Sequence, residues 1–149
     1  MFGSGIPSVL IVEDDETVRV FLCRALERAG HHPIGVRSGE EALEHVRGNQ
    51  PIAAVLIDGI LPDMHGVRLA EAMLAEPAGA ALPICFVTGA LRGNRQPTAG
   101  VGALGKPFRF QELTDMVDAL QTWRDAGGSP MPDRQAALRH LEEGFLVGP

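Results

Sequence analysis

VLIVEDDE, residues 9–16, sets four apolar residues directly against four acidic ones. An unbroken aliphatic run of this length suits a strand buried on both faces, and such strands belong to parallel sheets covered by helices. Four further runs follow: HPIGV (32–36), IAAVLI (52–57), LPICFV (82–87) and a weaker VGALG (101–105). Longer stretches with helical spacing separate them, so the chain reads as α/β, a doubly wound parallel sheet of five strands with helices on both faces. IAAVLI is apolar at every position and belongs at the centre of that sheet.

The helices carry local signals. Val18, Leu22, Ala25 and Ala29 recur at helical spacing, Leu26 widens the stripe and Gly30 ends it. Ser38 and Glu41 form a capping box that opens a second helix through Leu43 and Val46. A third is expected from about Val67 to Glu76, stopped by Pro77, and the series Leu113, Met116, Val117, Leu120, Trp123 gives another, interrupted at Gly127-Gly128. Between them ALRGNRQPTAG (90–100) holds two internal glycines and a proline where a fourth helix belongs. A short or distorted helix, or a mobile loop, is expected there.

GGSPMP (127–132) reads as a linker. The tail beyond it has a helix signature: Pro132 near the start, Asp133 in the first turn, Arg139 and His140 late, and Gly144 as terminator. Leu138, Leu141 and Phe145 form its apolar stripe, too small for a core of its own. The organisation expected is one domain over 7–124, a linker over 125–132 and a C-terminal helical extension over 133–146. That extension can dock on its own domain, on a second copy as a homodimer, or on an output partner.

A length of 149 residues with 45% hydrophobic content suits one domain with a real core. The net charge of −6 and the lack of any Lys/Arg cluster argue against nucleic-acid binding. The longest apolar stretches fall far short of the roughly 20 residues a membrane helix needs, and MFGSGIPS is too short and polar for a signal peptide. A cytoplasmic location without membrane insertion is expected. Cys23 and Cys85 read as small buried hydrophobes, and the five histidines show no ligand-like grouping.

In a parallel α/β sheet the residues just after each strand collect at one edge, where such folds bind ligands. Here those residues are Glu13, Asp14 and Asp15 after the first run, Asp58 after the third, Thr88 at the fourth and Lys106 after the fifth. Carboxylates gathered in this way destabilise one another unless one protonates or a cation lies between them. Magnesium, commonly held by one or two carboxylates, waters and a phosphate, suits Asp14 and Asp58 better than a metal that prefers nitrogen or sulfur. With an ammonium and a hydroxyl nearby, the set suits a transferring phosphoryl group.

The chain resembles the receiver domain of two-component response regulators from about Pro7 to Arg124. VLIVEDDETVR, the strand-end Asp in VLIDGILPDMHG, Thr88 in FVTGA and the Lys-Pro pair in GKPF carry the resemblance. It implies a flavodoxin-like sheet in the order 2-1-3-4-5, the order known for chemotaxis receivers. It also implies that Asp58 is the phosphoacceptor, taking a phosphoryl group from a histidine kinase or a histidine phosphotransfer protein. Asp14 would bind magnesium directly, Glu13 through a coordinated water, and the backbone carbonyl of Ile60 would complete the protein ligands. Lys106 would pair with the phosphoryl oxygens, Thr88 would hydrogen-bond the phosphoryl group and move with it, and the Lys106-Pro107 bond would be cis.

Three departures from the family pattern matter. The rotating aromatic usual three residues before the lysine is replaced by Ala103, as in a subfamily whose FATG-containing motif FVTG partly matches. The interval from Thr88 to Lys106 is short and rich in helix breakers, so the usual signalling face is expected to be remodelled. Finally, Ile60 and Ala90 occupy the positions that influence hydrolysis, two residues after the phosphoacceptor and two after the threonine. Neither can orient water by hydrogen bonding, so slow self-dephosphorylation is expected. Two other readings compete: a phosphorylation-independent binding module, and a magnesium-dependent phosphohydrolase. The latter usually needs an acid where Ile60 stands.

Overall fold

The computed structural model describes residues 6–48, 50–89 and 94–146, the side chains of 145 and 146 excepted. The apolar runs form strands β1 (Ser8–Val12), β2 (His32–Val36), β3 (Ile52–Asp58), β4 (Ile84–Thr88) and β6 (Val101–Gly105), and the polar stretch RQPT forms β5 (Arg95–Thr98). Helices α1 (Glu16–Arg28), α2 (Gly39–Arg47) and α3 (Gly66–Leu74), a 3-10 turn at Pro77–Ala81, and helices α4 (Phe110–Asp125) and α5 (Met131–Leu146) connect and follow them.

Local chemistry sets the helix starts. The Asp15 carboxylate accepts the Val18 N–H at 3.0 Å, and Ser38 Oγ accepts the Glu41 N–H at 3.2 Å, each satisfying a donor the helix itself cannot. Glu112 caps α4 by accepting the Arg109 N–H at 2.7 Å. Gly127 and Gly128 end that stretch with φ of 108° and 75°, values that favour glycine.

The sheet order is β2-β1-β3-β4-β6-β5. The first five strands in that order are parallel, which is the expected 2-1-3-4-5 arrangement. The sixth corrects an expectation. Residues 95–98 form an antiparallel edge strand on β6, not part of a short helix or loop, and residues 90–93 lie outside the described residues. Pro97 disfavours a helix in this segment, and an edge strand tolerates it because one side of the strand needs no ladder bonds. Ala99 and Gly100, at φ 51° and 74°, turn the chain back into β6. A Cβ on Gly100 would lie 2.5 Å from the Trp123 ring, so that turn requires glycine twice over.

Each face of the sheet has its own apolar layer. Val9, Ile11, Leu56, Cys85, Val87 and Leu104 meet α1 and α4 on one side. Leu10, Val12, Val55, Ile57, Phe86 and Ala103 meet α2, α3 and α5 on the other. Cys85 is buried and Cys23 half-buried, both as free thiols, and burial pushes each up from its ordinary value.

α5 packs on α3 and β6, with Ala137, Leu138 and Leu141 buried in the second layer. Each leucine buried there contributes about 1.5–3 kcal/mol relative to exposure. The helix continues through Gly144 to Leu146, so Gly144 is not its terminator. The glycine costs about 1 kcal/mol in a helix interior, which tertiary packing offsets. Phe145, expected in the apolar stripe, has a side chain outside the described residues.

Candidate functional site

Parallel pairing aligns the strand ends. Val12 pairs with Ile57, Asp58 with Val87, and Thr88 with Gly105, so the residues that follow emerge at one edge. There the carboxylate oxygens of Glu13, Asp14 and Asp58 lie within 4.8 Å of one another. Lys106 joins them, its Nζ 3.3 Å from Glu13 Oε1.

The three acids differ in environment. Glu13 is 2% exposed, Asp58 half-buried and Asp14 exposed. Burial, followed by the adjacent Asp58 carboxylate, pushes Glu13 up to about 7, against the smaller opposing pull of the Asp15 N–H and Lys106. The site thus carries more negative charge than its one ammonium balances. Arg19, on the first turns of α1, steadies the acidic loop by donating to the carbonyls of Glu13 (2.9 Å) and Asp14 (3.3 Å). Asp15 caps α1, leaving Glu13 and Asp14 to the cluster.

Two glycines let the loop after β3 fold tightly around Asp58. A Cβ on Gly66 would stand 2.6 Å from the Asp58 carbonyl, and one on Gly59 would stand 3.1 Å from Thr88 Oγ1. Thr88 is therefore held against the Asp58 loop, almost fully buried at the end of β4, where its carbonyl accepts the Lys106 N–H at 2.8 Å. The Ile60 N–H faces Asp58 Oδ1 at 3.5 Å, and its side chain is 73% exposed beside the acid. The Lys106-Pro107 bond is cis, as the resemblance implies. Ala90 lies outside the described residues.

Several supporting residues escaped sequence reasoning. Asp63 reaches back from the loop to accept the N–H groups of Gly39 and Glu40, both at 3.0 Å, and these bonds hold its carboxyl below the usual carboxylate range. His65 Nδ1 caps α3 by accepting the Val67 N–H at 3.1 Å. Asn94 Oδ1 accepts the Gly105 N–H while its amide donates to Glu112, fixing the chain next to Lys106. A short polar residue just before a helical pattern is the signal that could have found His65; Asp63 and Asn94 act over distance and leave no local pattern.

Residues 9–118 match the response regulator receiver domain. The response regulator receiver protein CpdR of Brucella abortus (strain 2308) is 32% identical over 116 residues, covering 75% of this chain and 94% of that one. Response regulator MprA of Mycobacterium sp. (strain KMS) is 33% identical over 117 residues, which span 75% of this chain but only 49% of MprA. Among solved structures, the receiver domain of sensor histidine kinase PA1611 from Pseudomonas aeruginosa PAO1 superposes with a TM-score of 0.67 at 25% identity, covering 81% of this chain and 99% of that one. That structure has a magnesium ion coordinated in its active site cleft. Because fold, strand-end residues and a match that runs nearly the length of a whole receiver protein agree, the chain belongs to the response regulator receiver domain family, the phosphoacceptor modules of two-component signalling.

Proposed function

We propose that Asp58 accepts a phosphoryl group from a histidine kinase or a histidine phosphotransfer protein, and that the resulting change in Thr88 alters partner binding. The observation that carries this reading is the meeting of Glu13, Asp14 and Asp58 with Lys106 at the end of aligned parallel strands. An Asp58 oxygen forms a bond to phosphorus as the bond from phosphorus to the histidine ring nitrogen breaks, the electron pair leaving with the ring. Lys106 balances charge on the phosphoryl oxygens, and the Thr88 hydroxyl donates to one of them.

The donor set fits magnesium. It is all oxygen, and its three carboxylates outnumber the one ammonium beside them. Asp14 and Asp58 would hold the ion directly, Glu13 through a water, with the Ile60 carbonyl from the same loop as a further ligand. When bound, the ion neutralises charge that develops on the phosphoryl oxygens. No helix among the described residues is long and apolar enough to cross a membrane, and a cytoplasmic location goes with this reading.

The test is incubation with magnesium and a small acyl-phosphate donor, followed by intact mass of the parent and Asp58→Asn. An adduct on the parent alone is expected. An adduct on both proteins would move the acceptor elsewhere. Donor turnover without an adduct would favour a phosphohydrolase, and no reaction would favour a phosphorylation-independent binding module.

A further inference from the structure

Lys106 stands on a four-residue connection, 106–109, that belongs to neither β6 nor α4. Lysine carries its charge on a flexible stem, so the backbone from which the stem starts decides where the ammonium can work. On one side the sheet ties that backbone: the Lys106 N–H donates to the Thr88 carbonyl of β4 at 2.8 Å. The N–H before it, on Gly105, points the other way, toward β5, because successive groups on a strand alternate. Gly105 is buried, and a buried N–H needs an acceptor. The register of β5 with β6 runs from Thr98 opposite Val101 to Arg95 opposite Ala103, short of Gly105.

Asn94, the residue just before β5, takes that place with its side chain. Its Oδ1 accepts the Gly105 N–H at 3.1 Å, and its Nδ2 donates to Glu112 Oε2 at 2.7 Å. The other oxygen of the same carboxylate accepts the Arg109 N–H at 2.7 Å. The two ends of the connection, Gly105 and Arg109, are thus joined through one amide and one carboxylate. Bonds to an ionised group are roughly twice as strong as neutral ones. The Arg109 N–H first, and the Asn94 amide second, hold Glu112 below the usual carboxylate range. The junction needs an acceptor on one side and a donor on the other, which an amide offers and a carboxylate does not.

We propose that Asn94 is a positioning residue for phosphoryl transfer to Asp58: bonded to Gly105 and Glu112, it fixes the backbone from which Lys106 meets the transferring group. This rests on the reading of Asp58 as phosphoacceptor. The polar edge strand gains a role by it, since the pairing of residues 95–98 with β6 sets Asn94 beside Gly105. The Asn94 bonds run to Gly105 and Glu112 rather than to Glu13, Asp14 or Asp58, so transfer rate and magnesium affinity should separate.

The test times adduct formation on the full chain by intact mass, with saturating magnesium and a range of acyl-phosphate concentrations, while calorimetry gives the magnesium Kd. In the step measured, an Asp58 oxygen bonds to phosphorus as the acyl carboxylate leaves with the electron pair. Asn94→Ala should lower the maximal rate about tenfold, less than a misplacement of about 1 Å can cost, with donor KM and magnesium Kd changed less than about 2-fold. Asn94→Asp sets a second carboxylate against Glu112 and should be as slow. Adding Glu112→Gln to it exchanges donor and acceptor, keeps the net charge and should restore the parent rate. A parental rate in Asn94→Ala overturns the proposal and leaves Asp58 as acceptor. A magnesium affinity that falls in step with the rate marks a general loosening of the acidic edge and also overturns it. An exchanged pair as slow as Asn94→Asp does the same. Absence of adduct on the parent removes the phosphoacceptor reading and this proposal with it.

Discussion

The Lys106 ammonium stands 3.3 Å from Glu13 Oε1 and is the charge that faces a buried carboxylate. Three acids converge there, so a negative excess remains after Lys106 is counted. Removing one carboxylate should relieve the repulsion. Asp58→Asn is therefore expected to stabilise the metal-free protein by about 1 kcal/mol, the equivalent of roughly one pKa unit. Urea unfolding in chelator measures this. Saturating magnesium should reverse the order, because the parent gains binding free energy that the variant lacks. A variant no more stable than the parent in chelator would contradict the repulsion.

Glu13 gives the stability a pH dependence. Its folded value of about 7 lies above the ordinary 4.5 that the unfolded chain restores. Between those values the folded state holds a proton that the unfolded state releases, so metal-free stability falls as pH rises from about 5 to about 7. Glu13→Gln removes that contribution. Denaturant titrations of the two proteins in chelator should nearly coincide at about pH 5 and diverge toward about pH 7, the variant holding its stability where the parent loses it. Magnesium competes with the same proton, so its affinity should rise with pH over the same interval.

What the sequence revealed follows from what is local. Asp15 and Ser38 cap helices with partners three residues away, and the strand ends gather the acids because parallel pairing leaves them no other place. Residues 95–98 behave differently. Pro97, with Gly93 and Gly100 on either side, excludes a helix, but only pairing with Val101 and Ala103 makes them a strand, and that partner is chosen by the fold. Arg134 looks like a surface charge on a polar tail, yet the carbonyls it serves lie 35 to 55 residues earlier. Gly144 carries a stop signal that packing overrides. The acidic edge was legible for the same reason that its supports at Asp63 and Asn94 were not: strand ends are a topological rule, whereas those side chains answer to neighbours that only the folded chain brings near.

Ile60 sets the expected lifetime of the phosphoryl group. It lies two residues after Asp58, exposed beside the acid, and its aliphatic side chain offers no donor or acceptor to an attacking water. Slow self-dephosphorylation follows. Ile60→Gln should accelerate loss by about tenfold or more, the low side of what a positioned polar group contributes. The decay of the adduct in magnesium, followed by intact mass after the donor is removed, measures the rate. Equal decay in the two proteins would remove Ile60 from the account.

Arg134 joins three segments through one side chain: the 3-10 turn at Gly79 and Ala80, the entry to β4 at Leu82, and the β5–β6 turn at Ala99. Burial lowers its guanidinium to about 10, so the fold tolerates a desolvated charge in order to satisfy those carbonyls. Arg134→Leu removes the donors and leaves several buried acceptors unpaired, an expected loss of about 2–4 kcal/mol even after the relief of charge burial. Arg134→Lys should not restore the parent value, since one ammonium cannot reproduce a planar fork that spans separate carbonyls and lies over an indole. Trp123 emission should shift to the red in both variants as the ring loses its cover. Urea unfolding that placed Arg134→Leu within about 0.5 kcal/mol of the parent, the range of ordinary surface substitutions, would show that α5 is held by its leucines alone.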